Sequence, residues 1–299
     1  MRALGLDVGG SATRWHRRDT SGSALSGTAA GFSGHLFRPE ILAKAQAAIM
    51  MIAQETGPVD VLVTGVTGFS TDSADSPRLV AMLQAAFGTH RIVVMSDIEL
   101  ACRAVFAPGQ GILVYAGTGS IAAHLPVEGA LITAGGKGVL IDDAGGGYWI
   151  AVRALRAILR NEDTQIQSGW STGLGRELAV DLGGTDWAHV RQAFYSRDRG
   201  SIGLLALAVK RAALAGDPVA LAIFERAGEE LAQFAIMLEG RIGHHPIALA
   251  GGAASLHPAL LASMTQALPG RSLSHVSINA ARVAAELTID PTFLDQTIV

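Results

Sequence analysis

Three aspartates and three glycine-rich turns are the residues whose types and spacing could do chemistry. Asp7 follows a short apolar run and is followed at once by Gly9, Gly10, Ser11 and Thr13 in "LGLDVGGSATRW". Asp97 stands at the turn of "RIVVMSDIELACRAVF", and Asp143 follows Asp142 in "GGKGVLIDDAGGGYWIAVRAL". The other two turns are Gly117-Thr118-Gly119-Ser120 and Gly251-Gly252-Ala253, each directly after an apolar run. Glycine lets a backbone come close to a phosphate or an adenine and aim N–H groups at it, and Ser and Thr add hydroxyl donors. A glycine pair after a strand is, taken alone, a plain turn. Three such turns, two with hydroxyls and one beside an acid, favour a ligand. The first is neither a Rossmann loop, which reads G-x-G-x-x-G, nor a P-loop, which ends in Gly-Lys-Ser or Gly-Lys-Thr. Ser96-Asp97 reads by itself as a helix N-cap, and Asp7 as a turn former.

Composition narrows the classes. The chain has 299 residues, 49% of them hydrophobic, and 36 glycines, which suits an α/β protein with tight turns and one large or two ordinary domains. A net charge of −3 argues against a nucleic-acid surface. The one cysteine, Cys102, excludes an internal disulfide, a CxxC pair and a cysteine zinc site, and suits a reducing compartment. The apolar run before Asp7 is too short for a signal peptide, and no run reaches the roughly 18 residues of a membrane span. A soluble cytoplasmic protein with no membrane or nucleic-acid partner is expected.

The elements that must position these residues follow from periodicity. Residues 2–8 read as a buried strand, and 13–25 as a strand, a glycine turn and a strand, so the loop after Asp7 is a hairpin turn. Residues 39–56 read as a helix, with Pro39 early and Ile41, Ala45, Ala48, Ile49 and Ile52 on one face. A strand over 59–68, a helix from "SPRLVAMLQAAFG" and a strand–turn–helix through Asp97 follow. Near residue 110 a second α/β unit opens, and Gly111–Gly136 repeats the strand–turn–strand–turn–strand plan of the N-terminus. Helices dominate from Tyr148 to Gly243, then a strand enters Gly251-Gly252, and helices are expected in "HPALLASMTQAL" and over Ala280–Leu287. Domains over 1–110, completed by a terminal helix within 280–299, and over 111–279 are expected. His244-His245 precedes the late strand with no carboxylate or cysteine beside it in sequence, and Trp149 reads as core.

Taken in order, these motifs resemble the superfamily of actin, the sugar kinases and the heat-shock chaperone ATPases. Within it, the chain is similar to the N-acetylglucosamine kinase branch, grouped with ATPases that activate acyl-CoA reductases and dehydratases. "DVGGSAT" and "YAGTGS" resemble the two phosphate motifs, "VVMSDIELACRAVF" the catalytic-Asp segment, "GGKGVLIDDAGGGYWIAVRAL" the glycine-rich segment before a long helix, and "LAGGAAS" the adenosine turn. The resemblance implies two ribonuclease-H-like domains, with a nucleotide and sugar cleft between them. It implies ATP and Mg²⁺ as cofactors, an amino sugar as acceptor, N-acetylglucosamine giving its 6-phosphate, and a homodimer.

The same resemblance assigns roles. Asp97 becomes the base that takes the sugar hydroxyl proton, and Asp7 the Mg²⁺ ligand, through water. Gly9, Gly10, Ser11 and Thr13 would bind phosphate from one side, and Gly117, Thr118, Gly119 and Ser120 from the other. Gly251 and Gly252 would pack on the adenosine. Thr67, Asp97, Thr118, Asp143, Ser33 and His35 would face the sugar. Arg14 and Lys137 are either phosphate neutralisers or solvated surface charges. Departures from the branch fall at Ala12, Ile121, Ala144 and the loop Gly31–Phe37. They leave the phosphoryl-transfer parts mostly intact and bear on the sugar, where Asp142 and Asp143 would also suit the ammonium of glucosamine. Two other classes are weighed. A dehydratase-activating ATPase needs more cysteines than Cys102 to hold its cluster. A sugar-responsive regulator carries an added DNA-binding domain, for which a first strand beginning near residue 3 leaves no room, and a non-catalytic sensor needs no base at Asp97.

Overall fold

The computed structural model describes residues 1–289 and 293–294. The chain divides into two compact units, the first running from Met1 to Phe106 and resuming at Ile278, the second spanning Ala107–Ser277. Of the terminal stretch 280–299, residues 290–292 and 295–299 lie outside the described residues.

The first unit holds β1 (Arg2–Val8), β2 (Ala12–Asp19), β3 (Ala24–Ala30), α1 (Pro39–Thr56), β4 (Val61–Val66), α2 (Ser76–Phe87), β5 (Ile92–Ser96) and α3 (Asp97–Val105). Its sheet has the order β3-β2-β1-β4-β5. The hairpins β1/β2 and β2/β3 are antiparallel, while β1/β4 and β4/β5 are parallel. The second unit holds β6 (Ile112–Ala116), β7 (Ser120–His124), β8 (Ile132–Gly135), α4 (Gly147–Thr164), α5 (Gly173–Leu182), α6 (Trp187–Tyr195), α7 (Arg199–Gly203), α8 (Ala206–Leu214), α9 (Pro218–Ile242), β9 (Ile247–Ala250), α10 (Pro258–Ala267) and β10 (Leu273–His275). Its sheet, β10-β9-β6-β7-β8, repeats the plan: an antiparallel meander β6-β7-β8 extended by the parallel strands β9 and β10. The echo read from Gly111–Gly136 is thus a repeat of topology. Helix α11 (Ala280–Leu287) returns to the first unit and packs on β1.

Side chains alternate across a strand, and in the first unit both faces of β1, β4 and β5 are covered. Leu4, Leu6, Val8, Leu62, Ile92 and Val94 pack with α1 and α2, where Ala45, Ile49, Leu79 and Leu83 are buried. Ala3, Val61, Val63, Val93 and Met95 pack with Leu100 of α3 and Ala284 of α11. Two-sided burial is why these strands read as continuous apolar runs. The second face also carries Gly5 and Gly65, and each lets a helix come unusually near. A Cβ on Gly65 would lie 2.8 Å from the Leu100 side chain, and one on Gly5 would lie 2.0 Å from the Ala281 carbonyl oxygen.

The Cys102 thiol is buried on α3 and its pKa is pushed up to about 12, by burial first and then by the Glu99 charge. A thiol kept protonated and out of solvent reacts slowly. Alkylation by iodoacetamide at pH 8 is expected to stay below a tenth of that in denaturant, followed by intact mass; rapid native labelling would contradict the burial.

Candidate active site

The strand register of the first unit gathers its chemistry at one end. Asp7 follows Ala3 and Gly5 on the same face of β1 and pairs with Gly65 of the parallel β4, which pairs with Met95 of β5. Thr67 comes just past the end of β4, and Asp97 just past β5 as the first residue of α3. The carboxyl ends of adjacent parallel strands therefore bring Asp7, Thr67 and Asp97 together, the position where α/β sheets bind ligands.

The cap question resolves locally. The N-cap of α3 is Ser96, whose hydroxyl accepts from the Glu99 N–H at 3.2 Å. Asp97 is left for other work: Oδ1 accepts from the Ile98 N–H at 2.9 Å, and the Thr67 hydroxyl donates to the carboxylate. The Asp97 carboxyl is raised above the usual carboxylate range, chiefly by burial and further by the negative charge of Asp7; the bonds from Thr67 and Ile98 pull the other way. Asp7 is raised too, again by burial, with Arg14 opposing it from 3.7 Å. Arg14 itself is largely solvated, with 62% of its side chain exposed.

The loops around this pair are tied to it. The Gly34 N–H donates to the Thr67 carbonyl at 2.9 Å, and the His35 ring lies against Gly68. Ser33 Oγ is 3.4 Å from His35 Nδ1, so Ser33, His35 and Thr67 form one corner. The turn after Asp7 is a hairpin loop, closed by the Gly9 N–H on the Ala12 carbonyl at 3.0 Å, with Gly10 and Ser11 exposed at its tip. A Cβ on Gly10 would meet nothing within 4 Å, so no packing inside the protein calls for glycine there. Thr13 departs from its expected part: it is buried and its hydroxyl donates to the Ala30 carbonyl at 2.9 Å, because its strand position points into the sheet.

The second unit builds its own loop cluster at the carboxyl ends of β6 and β9. The Gly117 and Thr118 carbonyls accept from the Gly147 and Tyr148 N–H groups at the start of α4, at 2.8 and 3.0 Å. Gly251, at φ +103°, leaves room for Ala116: a Cβ there would lie 2.3 Å from the Ala116 oxygen. The Ala253 N–H donates to that same oxygen at 2.9 Å, which seats the Gly251-Gly252 turn beside the Gly117 loop. Gly252, like Gly10, faces open space. Ser120, expected at a phosphate, is buried instead and donates its hydroxyl to the Ala144 carbonyl at 2.6 Å. Asp143, expected at the sugar, is held in this loop cluster. Its Oδ1 accepts from the Gly138 N–H at 2.9 Å, and a Cβ on Gly119 would lie 2.0 Å from Oδ2. Burial raises the Asp143 carboxyl first, and Asp142 adds to it, against the Gly138 bond and the Arg199 charge. Lys137 joins the same turn through its N–H, 3.4 Å from the Asp142 carbonyl. Ile121, one of the departures, packs against Gly136.

Two features escaped the sequence reading. His244 does have a carboxylate partner: Glu239 Oε1 lies 3.0 Å from its Nδ1, and Oε2 lies 3.2 Å from Arg271 Nε. Glu239 is a helix turn away in chain but Arg271 is brought in only by the fold, so spacing carried no signal. Trp149 is only partly core; its other face carries the Arg153 guanidinium at 4.8 Å from the ring centre. Among the described residues no group of three or more His, Cys, Asp or Glu could hold a metal ion alone, and no helix is long and apolar enough to cross a membrane.

Two mixed five-stranded sheets of one plan, each opened by a hairpin loop and covered by helices, define the two-domain fold of the actin-like ATPases and sugar kinases. The chain belongs to the BadF/BadG/BcrA/BcrD ATPase family, whose model matches residues 4–282. An N-acetylmuramic acid/N-acetylglucosamine kinase of Clostridium acetobutylicum is 38% identical over 73 residues, a match spanning 24% of each chain. A candidate N-acetylglucosamine kinase structure from Chromobacterium violaceum superposes with a TM-score of 0.73 at 23% identity, covering 96% of this chain and 98% of that one. A ROK family glucokinase of Streptomyces griseus, in complex with glucose and AMPPNP, superposes at 0.59 with 16% identity and 99% of each chain covered.

Proposed function

We propose that the chain is an ATP-dependent amino-sugar kinase, transferring the γ-phosphoryl group to N-acetylglucosamine to give its 6-phosphate. The observation that carries this reading is Asp97, half-buried beside Thr67 and Asp7 at the ends of three adjacent parallel strands. Phosphoryl transfer asks for positioning, charge neutralisation and an acceptor for the hydroxyl proton. Asp97 is that acceptor: burial raises its proton affinity, and the Thr67 and Ile98 bonds hold the carboxylate in one orientation. Ser33 and His35, tied to the Thr67 corner, would orient sugar hydroxyls. Gly10 and Ser11 in the first unit, and the Gly117–Gly119 loop in the second, offer backbone to phosphate, and the Gly251-Gly252 turn offers it to adenosine. Thr13 and Ser120 shape these loops, and Asp143 positions the Gly119 loop.

Asp7, with the Asp97 carboxylate within electrostatic reach, fits Mg²⁺, which is commonly held by one or two carboxylates together with substrate phosphates. Asp7 would hold it, and it would supply neutralisation of the phosphate charge. The single buried Cys102 supports a cytoplasmic setting, and the kinase resemblance supports a homodimer. The test is ADP release with MgATP across glucosamine, N-acetylglucosamine, N-acetylmuramic acid, N-acetylmannosamine and glucose. Strong turnover with N-acetylglucosamine is expected; turnover with glucose alone would overturn the amino-sugar assignment.

Thr67 carries a pH signature. Its hydroxyl stabilises the ionised form of Asp97, so Thr67→Val raises the Asp97 pKa further. The base is then protonated at higher pH, and the acidic limb of the kcat/KM profile is expected to move upward. An unmoved limb with only a raised KM would reduce Thr67 to a sugar contact.

A further inference from the structure

In the second unit α4 and α9 pack side by side, and a groove of about 280 Å³ lies open along them. Trp149, Arg153, Arg156 and Arg160 recur at intervals of four, three and four residues, so they form one stripe on α4. Ile223 and Arg226 line the groove from α9. Arg226 is paired with Glu229 and Glu230. Among the described residues no carboxylate bridges Arg153, Arg156 or Arg160, and all three are exposed. Three uncompensated guanidinia thus gather over an apolar floor in a chain whose net charge is −3.

Guanidinium forks match phosphate oxygens in geometry and charge. Arg153 covers the outer face of the Trp149 indole, so the flat surface left to a ligand is the guanidinium plane itself, on which an aromatic ring can stack. The volume is that of a small organic molecule rather than a docked helix.

We infer that the α4/α9 groove binds a small aromatic phosphate, its ring stacked on the Arg153 guanidinium beside Trp149 and its phosphate on Arg156 and Arg160. The inference does not rest on the kinase reading, since none of these side chains is assigned to phosphoryl transfer. The probe is 1-naphthyl phosphate, titrated calorimetrically into the full chain and into the double variant Arg156→Gln/Arg160→Gln. Both arginines are exposed, so the variant keeps the fold, checked by its melting curve. One-to-one binding is expected, weakened at least about tenfold in the variant, as the loss of charged hydrogen bonds predicts. Inorganic phosphate and 1-naphthol should each bind more weakly than the intact probe. Absence of saturable binding, or binding unchanged in the variant, overturns the site. Inorganic phosphate binding as tightly as the probe overturns the aromatic half. Binding of a glutamate-rich amphipathic peptide that the probe does not displace would assign the groove to a protein partner instead.

Discussion

Asp97→Asn is expected to abolish sugar-dependent ADP release, lowering kcat by about 10²- to 10⁴-fold, the range a positioned general base supplies. The amide keeps the shape of the side chain, and its Oδ1 can still accept from the Ile98 N–H. What it loses is the proton acceptor. The fold should not suffer. In the wild type a carboxylate is partly desolvated and near the charge of Asp7, and both effects work against its ionised form. Removing that charge should leave the melting temperature unchanged or raise it, the stability cost of a functional site being relieved. Turnover that survives at wild-type level would remove Asp97 from the chemistry while leaving the fold intact. A collapse of the melting curve would instead make Asp97 structural.

Gly5→Val is expected to be the most damaging single change to the first unit. The Cβ it adds would lie 2.0 Å from the Ala281 oxygen and 2.4 Å from the Ala285 nitrogen, both backbone atoms of α11. A side-chain tip can swing aside, but a helix backbone cannot without carrying its whole length away from β1. Overpacking a core costs about 1–3 kcal/mol where side chains can adjust, and here the obstacle is main chain, so a loss of about 3 kcal/mol or more is expected. Valine favours strands, so a loss cannot be ascribed to strand propensity. A denaturant titration checks it; a midpoint within error of the wild type would mean that α11 does not sit on β1 as described.

Much of this architecture was legible because local signals agreed with the fold. Pro39 and the apolar face through Ile52 set α1 at Pro39–Thr56, and the Asp7 loop was readable as a hairpin because Trp15 and its neighbours alternate up to a glycine turn. Other parts were not. β10 is a three-residue edge strand, too short to show a period, and α5 opens on Gly173 with glycines that read as loop, although Thr172 caps it. At the site, the types and spacing picked out Asp7 and Asp97 but not their relation to Thr67, which depends on the order β1-β4-β5. Ser96 and Asp97 both cap helices well, so sequence alone could not say which residue was spared for chemistry. Thr13 and Ser120 looked like phosphate donors because a hydroxyl after a glycine turn does; only the strand register shows them turned inward. Partners far apart in chain, such as Glu239 and Arg271, left no trace at all.

The central claim is transfer of a phosphoryl group to an amino sugar, and the product tests it most directly. Wild-type protein with MgATP and N-acetylglucosamine would be followed by ³¹P nuclear magnetic resonance. The account predicts a phosphomonoester signal of the sugar 6-phosphate growing in step with ADP. ATP consumed to inorganic phosphate, with the sugar left unmodified, would contradict it.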